Sequence, residues 1–232
     1  YHIDFSKKTF LLFPNLTWDS TLYNIDLFFK SHSNWIIETI DYFINNSNDQ
    51  LIIRCHPSES ILDNADRDKV QDIINRNFTS LPKNIIVIPS DSGVSSYLLM
   101  NNSICGLFYG STTAIEMGVK GTPTVIAGNI FYRKLGVSID PNEKAEYFSI
   151  INKIASGTYD FNKEEFKEIW RRYAYYAIFR SGIPIDFLNY PNVFSDPYFN
   201  FDKLDDLSSG KNVNLDIICN GILNKTRFLI DN

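Results

Sequence analysis

The stretch SICGLFYGSTTAIEMGVKGTPTVIAG, Ser103 to Gly128, leaves this chain few folds to choose from. Ile104 to Phe108 is an apolar run of strand length, and Tyr109-Gly110-Ser111 is a turn. Thr112 to Val119 carries a helical pattern that Gly121 and Pro123 stop, and Val125 and Ile126 open the next strand. A strand feeding a tight turn into a helix presents free backbone N–H groups to an anion, and the hydroxyls of Ser111, Thr112 and Thr113 stand at the same place. Glu116 follows Thr112 by one turn and shares its face. A phosphate at the helix start and a carboxylate one turn on suit a nucleotide, the carboxylate taking the ribose hydroxyls. The plainer reading makes Ser111 an ordinary N-cap and Glu116 an exposed helix residue. Taken alone, that reading is the stronger, and the rest of the chain has to shift it.

The remaining sequence repeats the same alternation. Phe10 to Phe13 reads as a buried strand, followed by the loop Pro14 to Ser20, and Ser33 to Asn45 has the spacing of a helix. Leu51 to Arg54 is a second strand, Asp66 to Phe78 a helix, Ile85 to Ile88 a third strand, and Gly93 to Met100 a short helix. Strands that are apolar throughout, alternating with helices, indicate a Rossmann-like α/β domain: a parallel sheet with helices on both faces. The expected organisation is a Rossmann-like domain over residues 1–140, helices over 141–190 that pack on or cross from it, and a loop with a C-terminal helix over 191–232. Within the second part, Glu143 to Ala155 and Lys163 to Arg180 read as helices, the latter aromatic on several sides, with a Tyr173-Ala174-Tyr175-Tyr176 stripe read as core and interface. Asn189 to Gly210 reads as loop and Val213 to Asn224 as the last helix.

In an open α/β sheet, ligands bind beyond the carboxyl ends of the strands. The residues able to carry chemistry fall there. Asn15, Trp18 and Asp19 follow the first strand; His56, Pro57 and Glu59 the second; Ser90, Asp91 and Ser92 the third. Gly110, Ser111, Thr112 and Thr113 follow the fourth; Gly128, Asn129, Tyr132 and Arg133 the fifth. Loops are polar in any case, so part of this clustering is automatic. Pro57 biases His56 toward extended backbone, and a histidine so placed can donate to a phosphate oxygen or protonate a leaving group; the alternative is a loop histidine without a role. Arg54 is unexpected in an apolar strand. It is read as pairing with Glu59 or Asp91 in preference to reaching a ligand. Arg133 and Lys134 could neutralise a diphosphate or a sugar carboxylate, or be solvated loop charges. His2 and His32 read as surface residues.

The 232-residue chain, 44% hydrophobic and 15% aromatic, can build a substantial core. Its net charge of −5 and lack of a basic block argue against a nucleic-acid partner. No apolar run is of membrane-spanning length, and the opening YHIDFSKKTF has no signal-peptide core. That opening also lacks Met, as a piece of a longer protein would. Cys55, Cys105 and Cys219 have no metal-binding spacing, and the first two read as buried thiols in a reducing cytosol. No carboxylate cluster suggests a bound divalent cation.

Four motifs together resemble bacterial capsule polysaccharide biosynthesis proteins, a group that includes Kdo transferases of GT-B type. They are RCHPSE (Arg54 to Glu59), SDSGVSSYLLM (Ser90 to Met100), YGSTTAIEMGVKGTPTVIAG (Tyr109 to Gly128), and FYRKLG with SIDP (Phe131 to Pro141). The likeness runs from about Lys8 to Pro141, and the third motif is its most specific part. The resemblance implies the C-terminal, donor-binding half of a GT-B glycosyltransferase. It implies that His56, Ser111, Thr112 and Thr113 hold donor phosphate, that Glu116 holds the ribose of the nucleotide sugar, and that Asp91 and Ser92 line the base pocket or the cleft. His56 is then the catalytic candidate, with Arg54, Pro57, Gly110, Tyr132 and Arg133 in the nucleotide site. The donor, CMP-Kdo for example, is a substrate, and no cofactor or metal is expected. Expected partners are a glycan acceptor and an acceptor-binding domain that the sequence does not show. The expected location is cytoplasmic, at the inner membrane face through the parent protein. A CDP-glycerol-type glycerophosphotransferase and a non-catalytic nucleotide-sugar-binding module are the alternatives. A UDP-sugar epimerase would need acid and base carboxylates that the sequence does not locate.

Overall fold

The computed structural model describes residues 3–46, 48–61, 68–192 and 195–230. His2, and residues 66 and 67 of the helix expected at Asp66 to Phe78, lie outside them. The chain divides into two compact units, one ending at Arg171 and the other beginning at Arg172. The expected boundary near residue 140 falls inside the first.

The first unit is a five-stranded parallel sheet. In chain order its elements are β1 (Thr9–Phe13), α1 (His32–Asn45), β2 (Gln50–Arg54), a single turn α2 (Ser58–Ile61), α3 (Val70–Asn77), β3 (Ile85–Ile88), α4 (Ser96–Asn101), β4 (Cys105–Phe108), α5 (Thr113–Gly118), β5 (Thr124–Ile126), α6 (Lys144–Ser156) and α7 (Lys163–Ala174) as far as Arg171. The strand order is β3-β2-β1-β4-β5, so β1 is central. Leu11 of β1 lies opposite Ile52 of β2 on one side and Gly106 of β4 on the other. Successive crossovers step outward from β1 to β3, and the chain then returns through α4 to the far side of β1. That reversal creates a crevice between the loops after β1 and β4, the place where open α/β sheets take ligands.

Every residue of β1, β2, β4 and β5 is buried, as expected of strands covered on both faces. The large side chains beneath the sheet include Trp35, Phe43 and Tyr147, and the Tyr147 hydroxyl accepts from Trp35 Nε1 at 2.9 Å. This explains why α6 belongs to the first unit: its Tyr147, Ile150 and Ile151 complete the core that α1 begins. Ile139 bridges Val125 in parallel and covers the outer edge of β5. Trp170 of α7 is fully buried where any side chain on Gly118 would collide with it, since a β-carbon at that glycine would lie 2.4 Å from the indole. Gly121, at φ 80°, supplies the left-handed backbone that turns the chain from α5 into β5.

Helix α4 starts at Ser96, later than the Gly93 expected, because Ser95 is still extended at φ −68°, ψ 126°. The long helix expected over Lys163 to Arg180 is α-helical only to Ala174. It then widens to a π-turn over Tyr175–Arg180, in which Ser181 N donates five residues back to Tyr176 O at 3.0 Å. Tyr175 and Tyr176 are exposed, so the tyrosine stripe is not core.

The second unit contains that π-turn, two short antiparallel strands β6 (Leu188–Asn189) and β7 (Tyr198–Phe199), and α8 (Val213–Asn224). All of this strand pair but Leu188 lies within the Asn189 to Gly210 segment expected to be loop. Asn212 caps α8, its side chain accepting from Leu215 N at 2.9 Å. No helix among the described residues is long and apolar enough to cross a membrane.

Candidate functional site

A cavity of about 230 Å³ opens at the carboxyl edge of the sheet, at the reversal of strand order. Phe13 and Pro14 reach it from the end of β1, Arg54 to Pro57 from the end of β2, Ser96, Tyr97 and Met100 from α4, and Ser111, Thr113 and Glu116 from the turn after β4 and α5. Two regions more than fifty residues apart in sequence, the RCHPSE motif and the GSTTAIE motif, thus share one space.

The turn after β4 is held from several sides. Asn15 accepts from Gly110 N at 3.3 Å and donates through Nδ2 to Gly110 O at 3.2 Å. The Tyr132 hydroxyl donates to Ser111 O at 2.7 Å. Gly128 N donates to Tyr109 O at 3.0 Å, and a β-carbon at Gly128 would stand 2.4 Å from that oxygen. Ser111 Oγ accepts from Thr113 N at 3.2 Å, which leaves its own proton free to point elsewhere. The N–H groups of Ser111 and Thr112 have no acceptor within the described residues. Helix α5 begins at Thr113, and Thr112 precedes it in helical conformation without a side-chain cap. Ser111 therefore shapes the turn and does not cap the helix from extended backbone.

Facing this turn, His56 Nδ1 accepts from Ser58 N at 3.1 Å. In the neutral ring the proton then sits on Nε2, a donor. Burial, opposed by Asp19 and reinforced by Arg54, holds the imidazole below its ordinary pKa, so it is neutral at pH 7.

Arg54 departs from its expected pairing. It is 5% exposed, and its guanidinium donates to the carbonyls of Cys55 (3.2 Å), Pro89 (2.6 Å) and Ser92 (3.2 Å). Among the described residues it makes no ion pair, and its Nε has no partner. Glu59, one of the expected partners, is 1% exposed and is used instead to accept from Val70 N at 3.1 Å, starting α3. Asp91 is exposed and does not line the cavity, and Ser92 contributes by binding Arg54.

Arg133 does not join these residues. It is 8% exposed, and its guanidinium donates to Ile126 O at 3.0 Å and to Pro141 O, tying the end of β5 to the following loop. Tyr132 supports the Ser111 turn from behind. Gly110 and Thr112 are likewise not cavity walls. His32 is not a surface residue: it is 6% exposed, packs against Trp35 and Tyr109, and accepts from Asn15 N through Nε2 at 3.1 Å. Burial pushes its pKa down to about 4.

Sequence reasoning does not single out Tyr97. It reads as one more apolar residue of SSYLLM, but Tyr97 and Met100 stand three apart on one face of α4, both on the cavity. Tyr97 is 56% exposed, and the carboxylate of Glu116 pushes its pKa up through a hydrogen bond.

No protein-family model and no curated protein sequence matches the chain. Solved structures with partial likeness include two Kdo transferases, both KpsC from Thermosulfurimonas dismutans. The β-Kdo 2,7 transferase is 17% identical over 60% of this chain and 41% of that one, with a TM-score of 0.40. The β-Kdo 2,4 transferase is 12% identical over 73% and 54%, with a TM-score of 0.45. UDP-GlcNAc 2-epimerase from Methanocaldococcus jannaschii is 17% identical over 75% and 46%, with a TM-score of 0.44. The chain spans about half the length of each of these. Likeness at this level decides neither activity nor substrate.

Proposed function

We propose that this chain is the donor-binding half of a GT-B glycosyltransferase that moves a sugar from a nucleotide-sugar donor to a bacterial surface or capsular glycan. The observation that carries the proposal is Arg54: a buried cation whose bonded partners are all carbonyls, set in the wall of a cavity at the sheet's switch point. A buried charge left without an opposite charge is costly, and an anionic ligand in the cavity relieves that cost. The opposite wall offers the Ser111 N–H and the hydroxyls of Ser111 and Thr113, with the unbonded Thr112 N–H next to it in the same turn, a set of donors suited to phosphate.

In the proposed reaction the bond between the sugar's anomeric carbon and a phosphate oxygen breaks as an acceptor hydroxyl attacks that carbon. The phosphate oxygen keeps the bonding electrons. Arg54 stabilises this growing charge through space, His56 donates its Nε2 proton in a hydrogen bond, and the Ser111 turn supplies fixed dipoles. Glu116, on the same cavity, is placed to accept from ribose hydroxyls. The acceptor's proton goes to a base on the acceptor-binding part of the full enzyme. The family resemblance of the four motifs supports a Kdo-type donor such as CMP-Kdo.

Titration calorimetry with CMP, CDP and UDP tests the reading. Binding of at least one, weakened in His56→Ala and in Glu116→Ala with circular dichroism unchanged, supports it; no binding to the wild type, or equal affinity in both variants, overturns it. Product analysis then separates sugar transfer from glycerophosphate transfer.

A further inference from the structure

Asn15, a buried amide, follows the end of β1. It is 6% exposed, and each end of its side chain is committed to one residue: Oδ1 accepts from Gly110 N at 3.3 Å, and Nδ2 donates to Gly110 O at 3.2 Å. Its own backbone N–H is fixed by His32 Nε2 at 3.1 Å. The imidazole is in turn wedged between Trp35 and Tyr109, at ring-centroid distances of 5.6 and 5.3 Å. Gly110 immediately precedes Ser111, whose N–H, like that of Thr112, has no acceptor among the described residues. The Gly110 C=O and the Ser111 N–H share one planar peptide and point opposite ways, so the bond from Asn15 Nδ2 to that oxygen, with the Gly110 N–H of the preceding peptide held on Asn15 Oδ1, sets the orientation of the Ser111 N–H.

We infer that Asn15 is the positioning residue of the anion-binding turn, with His32 as its anchor. The pair holds the Ser111 N–H in binding geometry before any ligand arrives, and the Tyr132 hydroxyl on Ser111 O does the same for the Thr112 N–H. This rests on the reading of the cavity as a phosphate site. Only a side chain with a donor and an acceptor at adjacent atoms can make both bonds. A carboxylate cannot: it accepts from Gly110 N but faces Gly110 O with a second acceptor. A protonated carboxylic acid can, because its O–H replaces the amide N–H.

The test uses the whole chain and whichever of CMP and UDP the wild type binds more tightly. At pH 7.5, Asn15→Asp and Asn15→Leu each lose roughly tenfold or more in affinity, the scale of one or two misplaced hydrogen bonds. As the pH falls, Asn15→Asp recovers relative to Asn15→Leu measured at the same pH, since a buried aspartate protonates readily. Taking the ratio cancels the titration of His32, which faces Asn15 from α1, and of Asp19, Asp26 and His56 around the same loops. A merely structural role would not produce this pH-dependent rescue. Amide hydrogen exchange provides a second, ligand-free measurement: the Gly110 N–H is protected in the wild type and exposed to exchange in Asn15→Leu at pH 7.5. Full affinity in both variants with a bound wild type overturns the role of Asn15 alone, as does unchanged Gly110 protection. A wild type that binds neither nucleotide overturns the phosphate site and this inference together.

Discussion

Arg54 and Arg133 solve the same problem in different places. Both are buried guanidinium groups at the carboxyl edge of the sheet, and both bind backbone carbonyls: Arg54 those of Cys55, Pro89 and Ser92, Arg133 those of Ile126 and Pro141. The difference is what else surrounds the charge. Arg133 has the carboxylates of Asp140 and Glu146 acting on it, while burial draws its pKa down from the ordinary arginine value. Neither arginine makes an ion pair among the described residues, but Arg54 stands in a cavity wall and Arg133 does not. An arginine cannot lose its proton to escape burial. One enclosed away from any cavity, with carboxylates acting on it, is a fastener, and one facing a cavity is a candidate receptor for an anion.

The largest expected effect breaks this contrast if it fails. Arg54→Met should weaken nucleotide binding by roughly 100-fold, equivalent to about 3 kcal/mol, while Arg54→Lys, which keeps the charge but cannot span three carbonyls, should lie between it and the wild type. Calorimetry on variants checked for folding reads both. Equal affinity in Arg54→Met would reduce Arg54 to a second fastener.

His32 shows the third way to bury a base, which is to shed the proton. Its folded pKa of about 4 lies below the unfolded value near 6.5. The unfolded chain therefore binds the proton more readily, and stability rises with pH through this window. The contribution is complete above about pH 6.5 and is lost as the pH falls toward 4, amounting to about 3 kcal/mol. Urea unfolding between pH 7 and pH 4 should show that loss in the wild type and a smaller one in His32→Gln, which cannot ionise. Identical pH slopes would mean that His32 is not the titrating group.

Arg133→Met should cost stability and little else. Two carbonyls lose their donor in a buried place, a loss of about 2 kcal/mol, read as a lower urea midpoint. Nucleotide affinity per folded molecule should stay within about twofold of the wild type. A large loss of affinity would place Arg133 in the site after all.

The two arginines also mark where sequence reasoning reaches and where it stops. The parallel sheet is legible because TFLLF, LIIR, IIVI and CGLF are apolar without alternation, and because Gly121 and Pro123 punctuate the last crossover. The gathering of His56, Ser111, Thr113 and Glu116 at one edge follows from strand polarity alone. The partners of charged side chains do not. Whether Arg54 meets Glu59 or a set of carbonyls depends on the path of the Pro89 to Ser92 loop, which no local pattern encodes. Nor does sequence separate the surface histidine it expects at position 32 from one enclosed by Trp35 and Tyr109, since enclosure is a property of residues far along the chain. Tyr97 escapes sequence reasoning for the same reason: helical spacing shows that Tyr97 and Met100 share a face, but only the crossover from β3 to β4 turns that face to the cavity.

The smallest effect gives the sharpest reading of the difference between the two guanidinium groups. Three influences set the pKa of His56: burial lowers it, Asp19 raises it, and Arg54 lowers it. Removing the Arg54 charge should therefore raise the His56 pKa, whereas removing that of Arg133 should leave it where it is. Nucleotide binding should raise it too, because phosphate brings negative charge to the same space. Binding then draws in a proton between the free and bound pKa values, and affinity improves as the pH falls through that interval. Imidazole proton resonances followed by NMR through a pH titration report all three cases, with His56→Gln used to assign the signal. If Arg54→Met shifts His56 no more than Arg133→Met does, the charge of Arg54 is screened from the cavity. Arg54 then loses its claim to an anion.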